Sequence, residues 1–144
     1  MMRNFLNDSD AELREILSTV KTIALLGASP NEDRPSYHVM EFLLQKGYRV
    51  LPVNPGQAGK EILGAPVYAS LSDIAEPVDM VEVFRASNAV AGIVDEILSL
   101  KTLPKVLWTQ LGVIDEDAGK RAHDAGLKVV MNRCPAIEYP RLIG

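Results

Sequence analysis

Two kinds of apolar segment alternate along the chain, one spaced for helices and the other continuous in the manner of buried strands. Ser9 followed by Glu12 is a capping-box pattern, and Leu13, Ile16, Leu17 and Val20 fall at i, i+3, i+4 and i+7 behind it. They predict a helix over residues 9–20. Residues 22–27 then run from Thr22 through Ile23, Ala24, Leu25 and Leu26 to Gly27, the look of a strand covered on both faces. After a polar loop over 28–35, Val39, Met40, Leu43 and Leu44 return to helical spacing within 36–46, and Gly47 stands where a C-cap belongs. A second strand is predicted over 48–53, stopped by Asn54, Pro55 and Gly56.

Further on, residues 56–66 read as loop and 71–74 as a single helical turn. Strands predicted over 78–84, 106–109 and 127–131 bracket helices over 88–100 and 115–125, the second ended by Gly126. Residues 134–144 keep no period and are expected to be irregular, and residues 1–9 to form a loose N-terminal tail. Strand and helix alternate throughout without repeat or linker, so 1–144 reads as a single domain of the α/β class. The expected architecture is a Rossmann-like three-layer sandwich, about five parallel strands with helices on both faces and right-handed crossovers. Ligands of such folds bind beyond the carboxyl ends of the strands. Chemistry is therefore expected in residues 27–36, 54–60, 84–88, 109–113 and 132–135.

Composition sets limits on that chemistry. With 144 residues, 47% hydrophobic and 24% charged, the chain matches an average soluble domain. The net charge of -4 and the lack of any Lys/Arg cluster argue against a nucleic-acid partner. The polar, acidic N-terminus does not resemble a signal peptide, and no apolar run approaches the ~18 residues of a membrane span. A cytoplasmic location without membrane contact is expected. The lone Cys134 excludes an internal disulfide and fits a reducing compartment. His38 and His123 fall in separate predicted helices with no Cys or carboxylate at zinc spacing, so no metal is expected. No Ser-His-Asp or Cys-His arrangement is apparent, and no catalytic residue is assigned. Asp115, Glu116 and Asp117 read as a solvated helix start, where negative charge is favoured.

The strand exits carry the candidates. Gly27 lets a ligand approach the backbone, the helix start near Ser36 offers N–H groups to a phosphate, and Arg34 and Ser29 add donors, with Ala28 between. The same residues also suit an ordinary loop with Ser36 as a cap and Arg34 solvated. G-x-G-x-x-G is absent and the second strand ends in Asn54 and Pro55 instead of an acid, which disfavours NAD. Asn54, Pro55 and Lys60 suit a nucleotide or phosphate, or a plain surface turn. Phe84 suits stacking and Arg85 a phosphate, or else core and rim, while Ser87 is a possible cap. Gln110 and its neighbour Thr109, with Gly112 beyond, suit a ligand with peptide-like bonds, or satisfy strand-end backbone groups. Cys134 is either a small core residue or, beside Arg133, a reactive thiol.

Taken in order, these segments resemble the small stand-alone CoA-binding proteins, whose fold is similar to the N-terminal domain of the succinyl-CoA synthetase alpha subunit. The residues that carry the resemblance are 22–29, Arg34-Pro35-Ser36, Val53-Asn54-Pro55, 59–64, 78–85, 108–112 and Asn132-Arg133-Cys134-Pro135. The resemblance covers roughly residues 10–143. It implies coenzyme A or an acyl-CoA as ligand, with the diphosphate near 27–36; Arg34, Lys60 and Arg85, which follow three successive strands, are the cations assigned to its diphosphate and 3′-phosphate. It implies no acyl-CoA synthetase activity. The first loop is longer and more charged than the synthetase's Gly-rich turn. The expected role is a non-catalytic carrier, sensor or regulatory module, a monomer or weak homodimer. The alternatives are a CoA-thiol redox protein or nucleotide-dependent enzyme using Cys134, and an interaction protein with a vestigial cleft.

Overall fold

The computed structural model describes residues 5–144. Its elements run α1 (Asp10–Thr19), β1 (Thr22–Leu26), α2 (Pro35–Gln45), β2 (Arg49–Val53), β3 (Glu61–Ile62), β4 (Ala65–Pro66), β5 (Met80–Val83), α3 (Val90–Leu98), β6 (Val106–Thr109), α4 (Glu116–Asp124), β7 (Lys128–Val130) and α5 (Pro135–Leu142). Five strands form a parallel sheet in the order β2-β1-β5-β6-β7. From β1 the chain builds outward to β2, then crosses back to lay β5 on the other side of β1. Strand order therefore reverses between β1 and β5, the switch point at which folds of this class open a crevice. The Rossmann-like α/β architecture expected from the alternation is the one observed.

The sheet is buried on both faces because its strands are apolar at both parities. Ala24, Leu26, Val81, Val83, Leu107 and Val129 pack against Val90, Ile93, Val94 and Ile97 of α3 and Ala118 and Ala122 of α4. On the other face, Ile23, Leu25, Met80, Val106, Trp108 and Val130 meet Leu13, Ile16 and Leu17 of α1 and Val39, Met40 and Leu43 of α2. The capping box at α1 forms as the sequence indicated: the Glu12 N–H donates to Ser9 Oγ at 3.1 Å and the Ser9 N–H to Glu12 Oε1 at 3.3 Å.

Both sheet edges are covered, which removes an open template for pairing. On β2, the Tyr68 N–H donates to the Pro52 carbonyl and the Asn54 N–H to that of Tyr68. On β7, the Asn7 N–H donates to the Val129 carbonyl at 2.8 Å, and Asn7 Oδ1 accepts from the Val129 N–H at 2.9 Å. The loose tail expected over 1–9 is thereby corrected for its described part: Phe5 and Leu6 are buried and Asn7 is a strand partner. Its first four residues lie outside the described ones.

A second correction concerns residues 134–144, which are helical over most of their length. Pro135 occupies the first helical position, where no N–H is needed. Ala136, Tyr139 and Leu142 pack onto the α1/α2 layer, and the Tyr139 ring stands edge-on to Phe42 and Tyr48. Arg141 ties the helix end to Glu138 at 2.6 Å and Asp10 at 2.9 Å. Tertiary contacts hold this helix despite Pro140 within it, and no local period announces it. The segment expected as loop over 56–66 also contains a tight hairpin, β3–β4. Leu63 and Gly64 at its turn both have positive φ, as a type I′ turn requires.

Among the described residues no helix is long and apolar enough to cross a membrane, and no group of three metal-ligating side chains assembles.

Candidate functional site

At the switch point the exits of β1 and β5 nearly touch. Gly27 has φ +86, and a Cβ there would lie 2.1 Å from the Phe84 carbonyl oxygen and 3.2 Å from Arg85 Cδ. Only glycine fits both the dihedral and the space. The absent side chain leaves backbone bare at the floor of a depression of about 290 Å³, lined by Gly27, Ala28, Ser29, Arg34, Pro35, Ser36, Asn54 and Phe84.

The walls of this depression are held by short-range bonds. Ser29 Oγ accepts from the Asn31 N–H at 3.1 Å, and Asn31 Oδ1 from the Asp33 N–H at 2.9 Å, which fixes the polar loop as two successive side-chain turns. Asn54 Nδ2 donates to the Ala28 carbonyl at 2.8 Å while its Oδ1 accepts from the Gly56 N–H at 2.9 Å. Asn54 thus pins the exit of β2 to that of β1. The start of α2 has no side-chain cap: Arg34 is the N-cap, Pro35 follows it, and Ser36 is buried one position on. Ser36 therefore lines the depression but does not cap the helix. The positive end of the helix faces the depression without a carboxylate or hydroxyl bound to it.

A second depression of about 350 Å³ adjoins the first across Pro35 and Phe84, and Arg85, Gln110, Leu111 and Val113 complete its lining. Leu111 is an exposed apolar residue there, and Gln110 Oε1 is buried with no hydrogen-bond partner. Nine of the twelve sequence candidates come together on these two depressions: Gly27, Ala28, Ser29, Arg34, Ser36, Asn54 and Phe84 on the first, Arg85 and Gln110 on the second. Pro55, Lys60 and Gly112 line neither. Pro55 opens the short 3-10 turn Pro55–Gln57, and Lys60 is exposed beside the hairpin.

Gly112 belongs to the support of the site. Its N–H donates to Asn132 Oδ1 at 2.7 Å, and its carbonyl accepts from Ser87 Oγ at 3.4 Å. Ser87 Oγ also accepts from the Ile114 N–H at 2.9 Å, so Ser87 fastens this loop and caps no helix. Asn132 has φ +61, a conformation that asparagine tolerates better than most residues. Ser87 and Asn132 therefore hold the Gln110–Gly112 loop from both sides. Neither was a sequence candidate, although an Asn directly after a strand was a legible sign.

Glu82 was also missed. It lies in β5 between Leu25 of β1 and Trp108 of β6, wholly buried, and neither carboxylate oxygen has a hydrogen-bond partner. Burial, with a smaller contribution from the Cys134 thiol, pushes its carboxyl well above the ordinary range. Among the described residues Arg34, Arg85 and Lys60 form no ion pair, whereas Arg49, Arg121, Lys120, Lys128 and Arg141 each hold a carboxylate.

Fold and groove together define a doubly wound α/β protein with its candidate site at the switch point, furnished for an anionic ligand. The chain belongs to the CoA binding domain family, whose profile matches residues 21–140. It is similar to the uncharacterized protein YneT of Bacillus subtilis (strain 168), 38% identical over 133 residues that cover 92% of this chain and 96% of that protein. A Thermus thermophilus structure, cell-free ID.343, superimposes with a TM-score of 0.88 at 43% identity over 94% of this chain and 100% of its own. An ADP-forming acetate–CoA ligase of Methanocaldococcus jannaschii matches at 30% identity over 87 residues, 60% of this chain but 12% of the ligase.

Proposed function

We propose that the protein binds coenzyme A or an acyl-CoA along the groove and acts as a non-catalytic carrier, sensor or regulatory module. The observation that carries this reading is the uncapped start of α2, which opens beside two unpaired arginines onto the bare backbone at Gly27. A diphosphate at that point meets backbone N–H groups, the positive end of a helix and planar multi-donor cations. These residues fit the ligand that the family implies. The second depression suits the pantetheine arm, with Phe84, Leu111 and Val113 against its methylenes and Gln110 beside an amide. Lys60, exposed and free of any carboxylate, is assigned to the 3′-phosphate.

Titration calorimetry with coenzyme A tests the assignment. Arg34→Ala is expected to weaken binding by at least about 1 kcal/mol, the lower end for a charge-assisted hydrogen bond. Equal affinities for the variant and the unaltered chain would remove Arg34 from the site. If coenzyme A at saturating concentration fails to raise the melting temperature, it is not a ligand of the folded state.

A further inference from the structure

We propose that the outer depression ends in an acyl subsite. The favoured ligand is a CoA thioester with a short, uncharged, apolar acyl group, and Leu111 is the residue that sets this preference. The inference rests on the coenzyme A reading and narrows its ligand to one class of thioester.

The sheet fixes where the sulfur of such a ligand arrives. The first depression gathers the exits of β1 and β2 with Phe84, whereas Gln110, Leu111 and Val113 of the outer one follow β6. β5 stands between β1 and β6. Neighbouring strands are about 4.8 Å apart, so the exit of β6 lies about 10 Å from that of β1 across the sheet. The pantetheine arm has the backbone length of about four extended residues, roughly 14 Å. It spans that interval with little to spare. A diphosphate at Gly27, with the arm laid across Pro35 and Phe84, therefore brings the sulfur to the exit of β6. Pro35 and Phe84 line both depressions, so the path between them is continuous.

Two observations at that exit point to what the sulfur carries. Gln110 is only 9% exposed, and its buried Oε1 has no hydrogen-bond partner. A buried acceptor left unmade is costly, and an amide N–H of the arm supplies the missing donor. That bond sets how far the arm extends. Leu111, the next residue, is 52% exposed on a loop fastened through Ser87 and Asn132. Free coenzyme A ends at this point in a thiol and leaves the leucine in water. The carbons of an acyl group continue over it and remove apolar surface from solvent on both sides.

Charge sets the remaining restriction. Arg85 is the only charged residue in the lining of the outer depression. Its Cδ lies 3.2 Å from where a Cβ of Gly27 would stand, which puts the side chain at the diphosphate end. An acyl group that ends in a carboxylate would meet Leu111 and Val113 without a cation and would give up water for no return.

Titration calorimetry of the full chain with free CoA, butyryl-CoA and succinyl-CoA tests the subsite. Burial of one methylene is worth about fourfold in affinity, so butyryl-CoA is expected to bind at least about tenfold more tightly than free CoA. Succinyl-CoA has the same chain length with a terminal carboxylate, and should bind no more tightly than free CoA. Leu111→Ser should bring the preference for butyryl-CoA over free CoA below about twofold. Gln110→Leu should instead weaken both ligands by a similar factor, about two- to tenfold, and preserve the ratio. The readout for Leu111→Ser is the ratio of affinities, which a partial loss of folded protein does not alter. Equal affinities for free CoA and butyryl-CoA overturn the acyl subsite and leave the coenzyme A reading standing, whereas no binding of any of the three overturns that reading too. Succinyl-CoA as tight as butyryl-CoA, a Leu111→Ser variant that keeps the preference, or a Gln110→Leu variant that binds both ligands unchanged also overturns the proposal.

Discussion

The two ends of the sheet are built in opposite ways. At the amino ends of the strands, Asp79 Oδ2 accepts from the N–H groups of Lys21 and Thr22, each at 3.0 Å, and the Asp79 carbonyl accepts from Lys105 and Val106. The Lys105 carbonyl in turn takes the Lys128 N–H, so this end is closed by its own backbone bonds. A hollow of about 480 Å³ lies there between α1 and the entries of β6 and β7. Its walls are largely apolar, and Lys128 in its lining is ion-paired to Glu15 at 3.1 Å. At the carboxyl ends the depressions are smaller, yet a helix start has no cap, two arginines have no carboxylate and a glycine exposes its backbone. Unspent bonding capacity singles out the candidate site better than volume does.

Three substitutions break or sharpen that contrast. Gly27→Ala carries the largest effect: forced into a positive φ and against the Phe84 carbonyl, it should cost about 3 kcal/mol in urea denaturation. It should also abolish coenzyme A binding. Near-normal stability and affinity would show that the exits of β1 and β5 are not held together.

Glu82→Gln comes next and acts through pH. The native state keeps the Glu82 proton at pH values where the unfolded chain has lost it, so the native state binds more protons across that interval. Stability of the unaltered protein must therefore fall as pH rises above the ordinary carboxyl range, by about 1.4 kcal/mol per unit until Glu82 itself ionises. The variant lacks this slope. Its advantage in urea midpoint should be negligible near pH 4 and grow towards neutrality; parallel curves would mean that Glu82 is not titrating in a buried site.

Lys128→Ala should do least. Its exposed ion pair contributes at most about 1 kcal/mol, and coenzyme A affinity should not change. A large loss of affinity would move the site to the lower end of the sheet.

The sequence exposed this organisation unevenly. The strands of the sheet and helices α1 to α4 follow from period and punctuation, because each buries a stripe or run that local spacing records. Gly27, Arg34 and Ser36 were legible since a strand-ending glycine and a helix start are local features. Helix α5 was not, because its stability lies in Tyr139 against Phe42 and Arg141 against Asp10, contacts far apart in sequence. Glu82 did leave a mark, a single acid within an apolar strand covered on both sides, but its lack of partners is a property of three dimensions. Lys60 shows the converse, a cation well placed in sequence that lines neither depression.

The bonds from Ser87 and Asn132 to the loop between them have a mechanical consequence. Because the rim behind β5, β6 and β7 is laced laterally, a ligand settling on Gln110 and Leu111 meets a wall already set in shape. Little ordering entropy remains to be lost on association. The same lacing makes neighbouring loops interdependent: an insertion after one strand would slacken the next, so variation in ligand preference is easier to achieve by exchanging side chains such as Leu111 than by changing loop length.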